Sequence, residues 1–335
     1  MTSKERCLAA IAGKPADRVP AFPLLMFLAA DRAGLTYRQF ATDGQALADA
    51  QINMYRRFGV DAITACSDAF RVAADLGAPM AFPEDKPPFA EKPFIASEAD
   101  LKRLGRPDPA RKGSRMADRL KAVGAMDRAV GRECLVLGWV DMPFAEACSA
   151  CGVSDFMLLL VDDAPLAHRI LDFLTKIVID FALAQHAAGA PMIGAGDAAA
   201  SLISPGMYRE FALPYEQRVC DAVHRADGTV KLHICGNTSA LLDDMVLSGA
   251  DLFNVDHLVD FGEACRTYGG TRKCFKGNLN PVADLMQATP EQCRQRARSC
   301  IERARGLPYM LSAGCEIPAA VSDEVFRAFC EAGRA

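Results

Sequence analysis

The chain has 335 residues and a mass of 36.0 kDa, enough for one large α/β domain or two ordinary ones. Its apolar fraction of 51 % and charged fraction of 24 % are those of a folded globular protein, which excludes a wholly disordered or collagen-like chain. A net charge of −4 and a pI near 5.8 leave no electrostatic footprint for nucleic acid.

Met1 to Glu5 lacks the apolar core of a signal peptide, and apolar stretches break off before the ~20 residues of a membrane span. The expected setting is cytoplasmic, with no membrane partner. Thirteen cysteines, an odd number, then read as free thiols: most of them buried small hydrophobes, a minority metal ligands or nucleophiles.

Ser3 is placed to cap a first helix over Lys4–Ile11, ended by Gly13 and Pro15 and laid across one end of the domain. Short apolar runs and longer amphipathic segments then alternate. The runs Val19–Phe27, Asp61–Ala65, Cys134–Gly138, Pro191–Gly196, Val230–Ile234, Leu252–Val255, Cys274–Lys276 and Tyr309–Ser312 predict strands. Helical patterns over Gly44–Phe58, Ser114–Val130, Pro165–Ala188 and Pro205–Arg225 separate several of them. Strand followed by helix, repeated, demands parallel pairing with right-handed crossovers. About eight such units predict a (β/α)8 TIM barrel over a single domain, residues 1–335; an open doubly wound sheet is the structural alternative. The excess length is the N-terminal helix and a Pro-rich insertion from about Arg71 to Pro109, expected to lie over one mouth of the barrel.

Chemistry in such a barrel belongs at the C-terminal ends of the strands. Five successive predicted strands end in polar or metal-binding groups: Asp197, then His233 with Cys235, Asp256, Asn278 and Cys315. His233 and Cys235 are two apart and so share one face of a strand. Imidazole and thiolate both bind Zn2+, Cys315 can supply a third ligand across the mouth, and Asp256 can take the fourth position or leave it to water. A sulfur-rich zinc of this kind suits activation of an incoming thiol as well as of water. Chance spacings among thirteen cysteines are the competing explanation.

Other candidates carry less. Cys148 and Cys151 have a CxxC spacing with no second pair, and read as structural. His168 and His186 lie on helical patterns, His224 ends one, and His257 is either a substrate contact or a solvated loop residue. Gly194, Gly196 and Gly206 make no G-x-G-x-x-G, so no dinucleotide site is expected. The basic run Arg294–Arg305 reads as a solvated helix face.

The stretches His233–Asn237, Gly277–Pro281 and Ala313–Pro318 resemble the uroporphyrinogen decarboxylase superfamily, and most of all its zinc-dependent methylcobamide:coenzyme M methyltransferase branch. The resemblance runs over nearly the whole chain, through Ser3–Arg6, Asp17–Pro20, Asp141–Phe144, Gly196–Ala198 and Ser204–Pro205. It implies a TIM barrel with zinc held by His233, Cys235 and Cys315, and it matches Asp256 to an acidic residue that is commonly Glu in the family. The decarboxylase branch resembles the chain less. Its N-terminal arginine-rich motif falls on Pro20–Leu28, where no arginine occurs before Arg32, and its last strand ends near His rather than Cys.

The resemblance therefore implies a methyltransferase of one-carbon metabolism. A methyl group from a methylated corrinoid would pass to a zinc-activated thiol, with tetrahydrofolate ranked behind thiols as acceptor. The corrinoid protein would be a separate partner, since the chain has no D-x-H-x-x-G cobalamin motif. Asp256 would be an exchangeable fourth ligand, and Asp197 and Asn278 would line the mouth and orient substrate. The competing expectations are a metal-independent decarboxylase and a non-catalytic corrinoid or tetrapyrrole binder.

Overall fold

A computed structural model describes residues 1–268 and 273–334. Among them, seven strands form one parallel sheet: β1 (Ala62–Thr64), β4 (Leu135–Asp141), β5 (Met192–Gly196), β6 (Thr229–Ile234), β7 (Leu252–Val255), β8 (Cys274–Leu279) and β9 (Tyr309–Ala313). They pair in the order β1-β4-β5-β6-β7-β8-β9. β2 (Met80–Ala81) and β3 (Phe89–Ala90) form a separate antiparallel pair inside the Pro-rich insertion. The curled parallel sheet with its surrounding helices is the TIM-barrel-like α/β fold expected from the alternation.

The expected first strand, Val19–Phe27, is not one. Ala21 and Leu24 make only isolated parallel bridges to Leu311 and Glu316. Pro20 and Pro23 have no N–H to donate, so a continuous ladder cannot form. The segment still fills the place between the last and first strands. Phe22 N–H donates to Leu311 O at 2.8 Å, and Asp61 N–H donates to Ala21 O at 2.7 Å.

The helices follow their local signals. Thr2, rather than Ser3, caps the first helix, Ser3–Ile11, because Thr2 and Glu5 form a reciprocal capping box. The helix Gly44–Phe58 ends on Gly59 at φ 68°, a left-handed position that suits glycine. The predicted helix Pro205–Arg225 divides into Pro205–Phe211 and Leu213–His224, with Pro214 in the first turn of the second piece. Two short helices, Phe27–Arg32 and Tyr37–Thr42, lie where no element was predicted. No single helix among the described residues is long and apolar enough to cross a membrane.

The insertion carries short helices at Arg71–Asp75 and Glu98–Arg103 besides its strand pair. Phe94 and Ile95 N–H both donate to Ala150 O, which fastens it to the helix Pro143–Cys151 that follows β4, at the C-terminal end of the barrel.

Side chains inside the barrel are layered. Phe22, Ala62, Leu135, Leu137, Met192, Leu252, Cys274 and Met310 pack with Cys7 and Ala10 of the first helix into an apolar floor. One pleat higher, period-two alternation places Thr64, Trp139, Lys231, Asn254, Lys276 and Ser312 in the interior, all of them buried. The interior thus turns from apolar to polar on the way to the C-terminal end.

Candidate metal centre

The β6 segment Thr229–Ile234 alternates along its length, so Lys231 and His233 point into the barrel while Val230 and Leu232 pack outward. Cys235 follows at the strand's end, and Gly236 then turns the chain at φ 90°. Cys315 arrives on the loop after β9. Gly314 permits its approach, because a Cβ there would stand 2.3 Å from His257 N.

These two segments bring three ligands together. His233 Nε2 lies 3.1 Å from Cys235 Sγ, and the two sulfurs are 3.6 Å apart. The three ligand atoms all fall within 4.8 Å of one another. His233 Nδ1 donates to Asn254 O at 3.0 Å, which assigns the proton to Nδ1 and leaves the Nε2 lone pair facing the sulfurs. The hydrogen bond with Cys235 holds the Cys315 thiol far below its ordinary value, and sharing with Cys315 together with burial pushes Cys235 up. One imidazole nitrogen and two converging sulfurs, one readily ionised, are a donor set that fits Zn2+.

The other three expected residues are placed differently. Asp256 follows β7 and belongs to the rim, but its carboxylate accepts from Gly236 N–H and Leu258 N–H, both at 3.1 Å, and it is not one of the clustered donors. His257 Nδ1 comes within 2.9 Å of it without forming a hydrogen bond. Asn278 lies inside β8 and donates to the carbonyls of Asp256 and Val259 at 3.0 and 2.9 Å, tying β8 to the loop that carries Asp256. Asp197 is fully buried. Its Oδ1 accepts from Ala145 N–H at 2.9 Å, and its carboxyl faces that of Glu216, which accepts from Tyr208. Burial raises both carboxyls, Glu216 to about 7, and the neighbouring Glu216 adds to the rise at Asp197. The backbone N–H of Asp197 donates to His233 O at 2.9 Å, so the residue reaches the centre through the main chain alone.

The remaining candidates resolve simply. Cys148 and Cys151 are buried, with thiols pushed up by burial. His168 bonds Tyr215, His186 bonds the Ala190 carbonyl and His224 bonds Asp251. Residues not singled out from the sequence also shape the site: Trp139, Lys231, Asn254 and Lys276 line the interior beneath it. The alternation Lys231-x-His233-x-Cys235 was the available signal, since a lysine in phase with two ligands on a buried strand must face the same interior.

A cavity of about 550 Å³ opens at the C-terminal end of the barrel, walled by Phe70 and Pro93 from the insertion side, Asp141 at the end of β4 with Ala145 after it, and Ser201 and Leu202 after β5. Ser201 also abuts Gly236: a Cβ there would lie 3.4 Å from Ser201 Oγ.

With this geometry in hand, comparison with known proteins places the chain. The family model for uroporphyrinogen decarboxylase (URO-D) matches residues 2–335. A uroporphyrinogen decarboxylase of Xanthomonas axonopodis pv. citri is 28 % identical over 311 residues, 88 % of this chain and 86 % of its own. The methylcobamide:CoM methyltransferase MtbA of Methanosarcina mazei is 28 % identical over 322 residues, 94 % of this chain and 93 % of its own. A solved methyltransferase structure from Methanosarcina mazei superposes with a TM-score of 0.90 at 23 % identity, covering 99 % of this chain and 98 % of that one. The chain belongs to the uroporphyrinogen decarboxylase family.

Proposed function

We propose that this enzyme is a zinc-dependent methyltransferase that moves a methyl group from a methylated corrinoid protein to a thiol. The observation that carries the reading is the convergence of His233, Cys235 and Cys315 within 4.8 Å at the C-terminal end of the barrel. A relative named as a decarboxylase and one named as a methyltransferase are equally similar at 28 % identity, so the reading rests on the side chains of the site. Arg32, the first arginine after Pro20, spends its guanidinium on Asp31, Asp323 and the carbonyls of Ala319 and Val321. No arginine of that segment is left to grip a polycarboxylate, whereas the two sulfurs and the imidazole are aimed at one point.

His233, Cys235 and Cys315 would hold the ion. Zinc so held supplies a Lewis acid that keeps a thiol deprotonated near neutral pH while its sulfur stays nucleophilic. The chain's own groups arrange the rest. Asn254 O fixes the His233 tautomer, and Asp256 pins the turn after Cys235 through Gly236 N–H. Trp139, Leu24, Cys66 and Met26 pack into an apolar cluster. In the overall reaction the acceptor sulfur bonds the methyl carbon, and the cobalt–carbon bonding pair remains with the corrinoid of the partner. The partner corrinoid protein would seat on the rim.

Metal analysis of the purified protein tests this directly, with about one zinc per chain expected for a single three-ligand site. Loss of methylcobalamin absorbance should follow with a thiol and metal-replete enzyme, and should slow in acid, which protonates both the acceptor and the ligands. Equal rates in metal-stripped and metal-replete enzyme, or full metal retention in both Cys235→Ala and Cys315→Ala, would overturn the reading.

A further inference from the structure

Asp141 ends β4 at the C-terminal end of the barrel and is 8 % exposed. It follows Trp139 in period two, so it faces the interior one pleat above that ring. The register pairs Asp141 with Gly196 and Gly196 with His233, which sets Asp141 and His233 level with one strand between them. Neighbouring strands stand about 4.8 Å apart, so the two backbones are about 10 Å apart. Gly196 puts no side chain into the gap. A Cβ there would stand 3.2 Å from Asp141 Oδ1, so the carboxylate lies over β5, on the side toward His233.

The same carboxylate walls the cavity of about 550 Å³. Phe70, Ala145, Ala199 and Leu202 make much of the rest apolar, and the other charged residues of the wall, Glu91 and Lys92, are exposed and of opposite sign. Asp141 keeps its charge near neutral pH: burial raises the carboxyl, but only to about 6, with Arg71 opposing. Glu146, buried on the helix after β4, is pushed well above the carboxylate range by burial and adds no charge. Arg71 Nη2 donates to Asp141 Oδ2, yet Arg71 is 1 % exposed and is not part of the cavity wall. Asp68 is taken up by Arg115 through two contacts of 2.8 Å. The Arg71–Asp141 pair is thus a dipole with its negative end toward the cavity. Ser201, also in the wall, ties the cavity to the segment that carries Cys235: a Cβ on Gly236, the next residue, would meet its side chain at 3.4 Å.

An apolar cavity with one fixed carboxylate orients its ligand by the polar end. An ammonium head gains from the negative end of the pair. A sulfonate or carboxylate head is repelled by it and meets no enclosed cation in the wall. We propose that Asp141 is a specificity-determining residue for the acceptor, selecting an aminothiol, with its ammonium group against the carboxylate and its sulfur at the metal centre, over a thiol with an anionic head. This rests on the metal and thiol reading above and narrows it to a chemical class of acceptor. Holding the head of the molecule also fixes where its sulfur lies, which is how a residue about two strands away serves the transfer.

The test compares cysteamine, 2-mercaptoethanol and 2-mercaptoethanesulfonate, which share a chain length and differ in the charge of the head. Co2+ serves as the metal, and thiol binding is read from the cobalt absorption spectrum near neutral pH. In Asp141→Asn the ratio of cysteamine to mercaptoethanesulfonate affinity should fall on the order of tenfold, with 2-mercaptoethanol changing least. Co2+ uptake should stay at the wild-type level. Because this change leaves the Arg71 guanidinium unpaired in the interior, Arg71→Met combined with Asp141→Asn is the second variant; it removes the whole pair and should lower the ratio as well. An unchanged ratio in a folded variant, or equal weakening of all the thiols, overturns the role of Asp141 and leaves the metal centre standing. So does wild-type protein that binds mercaptoethanesulfonate more tightly than cysteamine. Wild-type protein that takes up no Co2+ overturns the metal reading and the acceptor class with it.

Discussion

The two ends of the barrel each hold a cluster of polar side chains contributed by segments far apart in sequence, and the two clusters are built on opposite rules. At the N-terminal end, Asp61 is fully enclosed between Arg6 and Arg18, with contacts of 2.6 and 2.7 Å, and Arg6 turns its other edge to Asp17 at 2.6 Å. Asp61 also accepts from Ala21 N–H at 2.8 Å, so every strong charge there has its opposite. At the C-terminal end, two sulfurs and an imidazole point at one another with no protein cation among them. Satisfied charges fasten the segment 20–24 to the barrel; three donors that converge on one point could hold an ion. The motif stretches Ser3–Arg6 and Asp17–Pro20 look as specific in sequence as the His-x-Cys pair, and only the partnering separates scaffold from chemistry.

The contrast breaks most sharply at Cys315. Cys315→Ala should abolish zinc binding and lower methyl transfer to the thiol by more than about a hundredfold, measured by metal content and by methylcobalamin absorbance, with the fold retained by circular dichroism. A variant that kept its metal would show that the upper cluster is structural like the lower one.

The converse change is Asp61→Asn. It leaves the buried Arg6 and half-buried Arg18 guanidinium groups without their shared carboxylate and should cost about 3–5 kcal/mol of stability, read from urea unfolding. Folded molecules of this variant should keep the wild-type metal content. Loss of metal from the folded fraction would mean that the two ends are coupled.

A third change sharpens the comparison through pH. Glu216 is pushed up to about 7 by burial, and Asp197 is raised with it. Between the ordinary carboxylate range and about 7 the folded protein therefore holds protons that the unfolded chain has released. Their stabilising contribution is complete below the ordinary range and is lost as pH rises through the folded value. Glu216→Gln should flatten that decline in urea midpoints between about pH 4.5 and 7; an unchanged slope would remove the pair as its source.

The smallest effect belongs to Asp256→Asn. Its carboxylate holds Gly236 and Leu258 N–H and is not one of the three clustered donors. Zinc affinity measured by chelator competition should weaken by no more than about tenfold. A loss comparable to that of Cys315→Ala would make Asp256 a ligand in its own right.

Much of this was legible in the sequence. Period-two apolar runs followed by helical patterns located seven of the eight expected staves, and the strand-end rule named the three side chains that the structure brings within 4.8 Å of one another. The failures have local causes. Val19–Phe27 looked like a strand because its apolar run outweighed Pro20 and Pro23, whose missing N–H groups cannot be seen in a hydropathy pattern. Asp197 was assigned to the mouth from its position after β5, yet rotation about its own backbone sends the carboxyl outward to Ala145 and Glu216, and only tertiary packing determines that choice. Lys276 was overlooked because a charged residue in a short strand normally faces solvent, and nothing local reveals that the strand is enclosed on both sides.

The apolar floor sealed by Cys7 and Ala10 of the first helix has one more consequence. It makes the barrel a vessel closed at the bottom. Chelators, protons and acceptor molecules would then enter from the top, and whatever sits on that rim would hinder all three at once.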